Sequence, residues 1–181
     1  MLVSSGKLLI GFSIGTKIMQ TCCVTGNRPQ KFPWKYGKGK KYKTYLAEMA
    51  KQIEKLIERG YTYFISGGAL GVDQDFAEAV LRAKQAHAEI TLEIAIPCKT
   101  QAARWSKDEQ LRYRSILECA DKITILSEHY TPSCMQRRNE YMVDKADLVL
   151  AYWNSEESGG TWYTINCAKQ KEKLLIINRL D

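Results

Sequence analysis

Two short glycine turns carry the residue types that hold anions. The first, Ser66-Gly67-Gly68-Ala69-Leu70-Gly71-Val72-Asp73, follows the β-branched and aromatic run Tyr61 to Ile65. It leads into a helical pattern carrying Phe76, Ala77 and Val80. Gly67 and Gly68 let the backbone take positive φ or come close to a ligand. A strand, a glycine turn and a helix N-terminus aim free N–H groups and the helix dipole at one spot, which suits a phosphate. An ordinary βα turn that needs two glycines reads the same way, since G-G-x-x-G is neither a Walker loop nor a dinucleotide fingerprint. Ser158-Gly159-Gly160-Thr161 repeats the arrangement, with Thr161 read as the helix cap. Asp73 is read first as a cap for its own helix and second as an acceptor for ribose hydroxyls. Arg28 and Arg138 add charge-assisted donors, and Asn139 can meet the edge of a base or a ribose. Trp105, Tyr130 and Trp153 are either stacking surfaces for a base or ordinary packing.

Nothing in the sequence pairs a nucleophile with a base. His87 falls near a helix end and His129 in a loop, and both read as surface residues. Glu140, Glu156 and Glu157 are the remaining acid–base candidates, with a solvated role as the simpler reading. Six cysteines include no C-x-x-C pair and only two histidines accompany them, so no metal is expected. The cysteines sit in or beside apolar runs, as small buried hydrophobes of a reducing cytoplasm.

The elements that must position these residues alternate along the chain. Gln20 to Thr25 reads as a first strand, closed by Gly26-Asn27-Arg28-Pro29. A lysine-rich loop with Phe32, Trp34 and Tyr36 follows; it is either functional or packs Trp34 onto the core. Tyr45/Leu46, Met49/Ala50, Ile53 and Leu56/Ile57 predict a helix over 42–59, stopped by Gly60. After the first glycine turn a helix runs to about Ala86. Thr91 to Ile96 is a strand. Ser106 to Glu109 is a capping box opening a helix to about Cys119. Lys122 to Leu126 is a strand, and Ser133 to Gln136 a second capping box. Leu148 to Trp153 is a strand, a helix runs from Thr161 to about Gln170, and Leu174 to Asn178 is the last strand. This alternation predicts a doubly wound α/β domain, a mostly parallel Rossmann-like sheet with helices on both faces. Every unusual loop, Thr25-Gly26-Asn27-Arg28-Pro29 included, follows a strand, so all of them should share the rim at the strands' carboxyl ends.

With 181 residues, 45% of them hydrophobic, the chain suits one globular domain, taken as residues 19–181. Residues 1–18 are read as an extension outside the fold, with Met19 as an alternative start. Leu8 to Ile14 is apolar but too short to span a bilayer, and no good signal-peptide cleavage site follows, so no membrane partner is expected. A formal charge of +7 suits an anionic partner and is compatible with nucleic acid.

The combination of Thr25-Gly26-Asn27-Arg28-Pro29, Ser66 to Asp73, Gln101 with Trp105, Cys134 to Asp144 and Gly159-Gly160-Thr161 resembles the YpsA-like family of the SLOG superfamily. That superfamily of Rossmann-like proteins includes the DNA-processing protein DprA and the LOG (lonely guy) phosphoribohydrolases. The resemblance covers roughly residues 20–178. It implies a cytoplasmic bacterial protein with a nucleotide-derived ligand in the rim crevice, and it brings Gln101 into the candidate site. Two departures stand out. Asn27 occupies a position where this family often has histidine. After Gly159-Gly160-Thr161 no glutamate follows in the turn, whereas the LOG enzymes use one in cleaving an N-glycosidic bond. The resemblance therefore favours a binding or sensor module for a nucleoside phosphate or an ADP-ribose-like molecule. A LOG-like N-glycosidase and DprA-like single-stranded DNA binding stand as alternatives. The sequence leaves enzymatic activity and oligomeric state open, a homo-oligomer among the options.

Overall fold

The computed structural model describes residues 20–181; the expectations for residues 1–18 and Met19 lie outside the described residues. Six strands form one parallel sheet: β1 (Gln20–Gly26), β2 (Tyr61–Ser66), β3 (Thr91–Ile96), β4 (Lys122–Ile125), β5 (Leu148–Trp153) and β6 (Leu174–Arg179). Five helices connect them: α1 (Gly39–Glu58), α2 (Val72–Ala83), α3 (Lys107–Cys119), α4 (Cys134–Lys145) and α5 (Gly159–Gln170). The strand order is β4-β3-β2-β1-β5-β6. This is the doubly wound, Rossmann-like α/β arrangement that the alternation predicts.

The sequence dictates the layering. Every residue of β5 is buried, as are Thr21 to Thr25 of β1, which fits strands covered on both faces. Successive side chains alternate between faces. Cys22 and Val24 join Met49, Ile53 and Leu56 of α1, Phe76 and Val80 of α2, and Tyr113 and Ile116 of α3. Cys23 and Val149 join Met142 and Val143 of α4 and Ala168 of α5 on the opposite face. Gly60, at φ 97°, ends α1 where a side chain would be strained.

The chain winds outward from β1 to β4, then steps back through α4 to β5 on the other side of β1. The connections after β1 and β5 leave toward opposite faces, and this switch point opens a crevice at their carboxyl ends.

Three of the capping expectations are corrected. Asp73 is the second residue of α2, not its cap; the cap position is Gly71, at φ 94° with no side-chain bond. Ser133 makes no capping bond, because its own backbone is already helical (φ −95°, ψ −4°). Thr161 lies inside α5, whose cap position is Ser158. The Ser158 hydroxyl donates instead to Glu156 at 2.7 Å. The Ser106–Glu109 box forms as predicted. Helix α2 stops at Ala83, short of Ala86. Five of the cysteines are buried, whereas Cys119, at the end of α3, is exposed. In the aromatic loop Trp34 packs edge-on against Phe32, so its indole covers the core.

Candidate functional site

Three of the four helix N-termini left without a side-chain cap, those of α2, α4 and α5, surround one crevice of about 250 Å³. Thr25, Gly26 and Arg28 enter it from the end of β1. Ala69 and Asp73 come from the β2–α2 connection, Arg138 and Asn139 from α4, and Gly159, Gly160 and Thr161 from α5. Each of these was expected at the rim, and the structure brings them together.

Close backbone approach makes the crevice. A side chain at Gly26 would overlap Val72, the first residue of α2. A Cβ at Gly71 would lie 2.5 Å from the Asn27 carbonyl oxygen, while the Val72 N–H donates to that same oxygen at 3.3 Å. Glycine at both positions lets the β1 loop rest directly on the start of α2. We expect Gly26→Ala to cost about 1–3 kcal/mol by overpacking, and Val72→Ala in the same chain to recover little of it, because the Cβ of residue 72, 2.4 Å from the new methyl, stays in place. Urea unfolding of the single and double variants checks this.

The first glycine turn is closed to a ligand. A Cβ at Gly67 would fall within the guanidinium of Arg138, which occupies that space. Arg138 Nη1 donates to the Gly67 carbonyl at 2.6 Å, and its Nε donates to Asn139 Oδ1 at 2.8 Å. The Gly68 N–H donates to Ser66 Oγ at 3.1 Å, and the Ala69 N–H to Asp73 Oδ2 at 3.4 Å. Ser66 Oγ donates in turn to the Asp73 carbonyl at 2.7 Å. Ser66, Gly67, Gly68 and Gly71 therefore shape the wall without lining the crevice. Gln101 stands behind the same turn: its Nε2 donates to the Gly67 carbonyl at 3.2 Å and to the Tyr113 hydroxyl at 3.3 Å. Trp105 packs edge-on against Tyr113, 5.2 Å between centroids. Neither Gln101 nor Trp105 reaches the crevice. Trp153 is stacked on Trp162 and Tyr130 projects into solvent, so neither offers a face to it.

The second turn is open. Gly159 takes φ 78°, no side chain caps α5, and its first turn holds no acid. Positions for a Cβ at Gly159 and Gly160 lie 3.8 Å from Lys31 Nζ and 3.7 Å from Asn139 Nδ2. Lys31 is itself ion-paired with Glu156 at 2.8 Å on the surface.

Asp73 and Arg138 are both buried, with Oδ2 and Nη1 3.7 Å apart. Burial pushes the Asp73 carboxyl up, against the opposing pull of Arg138 and then Arg28. Burial likewise lowers Arg138, which Asp73 partly restores. Desolvation thus outweighs attraction in both members of the pair. Among the described residues Asp73 is the only carboxylate lining the crevice. Glu140 lines an adjoining groove between α4 and α5, where it accepts the Tyr163 hydroxyl.

Sequence reasoning missed Asn154 and the use made of Asn27. Asn27 Nδ2 donates to Asn154 Oδ1 at 3.2 Å, and the Asn154 N–H donates to Asn27 Oδ1 at 2.9 Å. This reciprocal clasp ties the loops after β1 and β5 across the switch point. Lys31, Met135, Met142 and Thr164 also line the crevice; an exposed lysine and residues inside helical patterns carry no local mark of it.

An open parallel sheet with a polar crevice at its switch point defines a Rossmann-like ligand-binding architecture. The family model described as the YspA SLOG family matches residues 22–177, and the chain belongs to that family. It is 32% identical over 133 residues to a UPF0398 protein of Halalkalibacterium halodurans, covering 72% of this chain and 70% of the relative. It is 35% identical over 141 residues to the SPbeta prophage-derived protein YoqJ of Bacillus subtilis, covering 71% and 80%. Among the described residues no helix is long and apolar enough to cross a membrane.

Proposed function

We propose that the crevice binds a nucleoside phosphate or an ADP-ribose-like ligand, and that the protein acts as a cytoplasmic sensor or regulatory module for it. The observation that carries this reading is the first turn of α5, uncapped and free of acids, facing Arg28, Arg138 and Asn139 across the crevice. Charge decides which turn takes the phosphate. The first turn of α2 carries Asp73 and Asp75, which repel an anion, whereas that of α5 carries no acid. We therefore assign the phosphate to Gly159-Gly160-Thr161 and the ribose hydroxyls to the Asp73 carboxylate. The groove between α4 and α5 shares Met135, Asn139, Gly159 and Gly160 with the crevice and gives the base a direction in which to extend. An N-glycosidase needs a further acid–base group beside the ribose; Glu140 is held by Tyr163 in the groove next door.

Thermal-shift measurements test the reading. ADP-ribose, AMP or NAD should raise Tm where adenosine does not, by about 2.7 kcal/mol of apparent stability at a hundredfold excess over Kd. Gly160→Asp should hold or raise the Tm of the free protein, since an acid suits a helix N-terminus, and should abolish the shift. If none of the phosphorylated compounds stabilises the wild-type chain, the proposal fails.

A further inference from the structure

A second cavity, of about 480 Å³, lies away from the crevice, between the start of α1 and the ends of β5 and β6. Its walls include Trp34, Tyr45 and Tyr152, a set of aromatic faces; Tyr45 meets Tyr152 edge-on at 5.5 Å. Among the described residues the Trp34 Nε1, the Tyr152 hydroxyl and the Asn178 Nδ2 are buried without a hydrogen-bond partner, and all three side chains line this cavity. Tyr152 and Asn178 are register partners on β5 and β6, so they share one face of the sheet. Tyr152 is 3% exposed, and burial raises its hydroxyl above the ordinary range. It thus stays a donor at working pH. An indole N–H, an amide NH₂ and a neutral phenol are all donors, and leaving them unpaired is costly.

The charges around the same cavity point the same way. Helix α1 is 20 residues long, its cap residue Lys38 makes no side-chain bond, and its first turn holds no acid. That turn instead carries Lys40 and Lys41, both lining the cavity, with the Lys41 ammonium 5.6 Å from the centre of the Trp34 ring. Cations at the positive end of a helix are unfavourable unless something negative sits beside them. Arg179 adds a third cation at the end of β6. None of the three is ion-paired among the described residues. Glu48 and Asp181 also lie on the rim, Glu48 close enough to help keep the Tyr152 hydroxyl neutral.

We propose that this cavity is a second ligand site, taking an organic oxyanion with a flat apolar body. The oxyanion sits at the first turn of α1 among Lys40, Lys41 and Arg179. The body lies against Trp34 and Tyr152, within reach of the unpaired donors. The assignment is independent of the crevice, which shares none of these residues.

Phenyl phosphate and inorganic phosphate serve as probes, followed by NMR through the Trp34 indole N–H signal, which Trp34→Phe identifies by its loss. Phenyl phosphate should move that signal saturably, and inorganic phosphate should move it much less. Lys40→Gln should weaken phenyl phosphate about fivefold while leaving the Tm of the free protein unchanged or higher, because it removes a cation from the positive helix end. A merely structural lysine would lower Tm instead. The proposal is overturned if the Trp34 signal does not respond, if inorganic phosphate acts equally well, or if Lys40→Gln leaves phenyl phosphate binding unchanged. Signals from Gly159 and Gly160 report the crevice separately, so failure at one site is not read as failure at the other.

Discussion

Replacing Arg138 by leucine should destabilise the protein by about 3–5 kcal/mol at neutral pH, because it leaves Asp73 charged, buried and unpaired. The guanidinium meets three of the residues at the crevice's closed wall. It fills the space left by Gly67, donates to the Gly67 carbonyl, orients Asn139 and faces Asp73. The loss should depend on pH with a definite sign. Burial already holds the Asp73 carboxyl above its ordinary value, and removing Arg138 removes the largest opposing influence. A carboxyl whose folded pKa is raised binds its proton more tightly folded than unfolded. Its contribution is fully present below the unfolded value of about 3.9 and is lost as pH rises through the folded value. Arg138→Leu should therefore recover stability as pH is lowered toward that range. Asp73→Asn in the same chain should lift most of the loss at neutral pH and flatten the difference from wild type. Urea midpoints of the three chains between mildly acidic and neutral pH check this; an Arg138→Leu deficit that ignores pH would mean that lost packing, not the stranded carboxylate, dominates.

What was legible in the sequence is what local pattern controls. The apolar runs Gln20–Thr25 and Leu148–Trp153, the 3–4 spacing from Tyr45 to Ile57, and the Ser106–Glu109 box all lie within a few residues of the elements they specify. The same locality explains the failures. Whether Ser133 or Thr161 caps a helix depends on the backbone angles of the preceding loop and on competing partners, such as Glu156 for Ser158. The two glycine turns look alike as strings. Only the tertiary placement of Arg138, 71 residues from Gly67, fills one and leaves the other open. Arg28, Arg138 and Asn139 were found because cations and amides near a rim are informative. Gln101 joined the candidates through family resemblance, and it supports the site from behind rather than from within. Asn27 could not be read alone, since its partner Asn154 lies on a different strand end.

Asp75 carries the second large effect, and nothing in its sequence surroundings marks it, since an acid in the first turn of a helix is ordinary. Its side chain is fully buried. Oδ1 accepts from the Tyr36 hydroxyl at 2.7 Å, the Tyr42 hydroxyl at 2.9 Å and Arg112 Nη2 at 2.8 Å; Oδ2 accepts from the Tyr45 hydroxyl at 3.1 Å. Arg112 is also held by Glu78. One carboxylate thus fastens the aromatic loop and the start of α1 to α2 and α3. Asp75→Ala should cost about 3–5 kcal/mol, since it removes the shared acceptor of three tyrosine hydroxyls and leaves Arg112 with Glu78 as its one carboxylate partner. At roughly 2–4 °C per kcal/mol for a chain of this size, that is a fall in Tm of about 6–20 °C. The alkaline limb separates charge from packing. Burial, then the Asp75 charge, pushes the Tyr42 hydroxyl up to about 12, and Tyr36 moves in the same direction for the same reasons. A tyrosine whose folded pKa is raised stabilises the fold below its unfolded value of about 10 and loses that contribution as pH climbs through the folded value. With Asp75 gone the folded values move back toward 10, so the variant should lose stability less steeply above that pH than the wild type. If both chains fall equally steeply in alkaline unfolding, the Asp75 charge is not what holds the tyrosines neutral, and the deficit is a cavity alone.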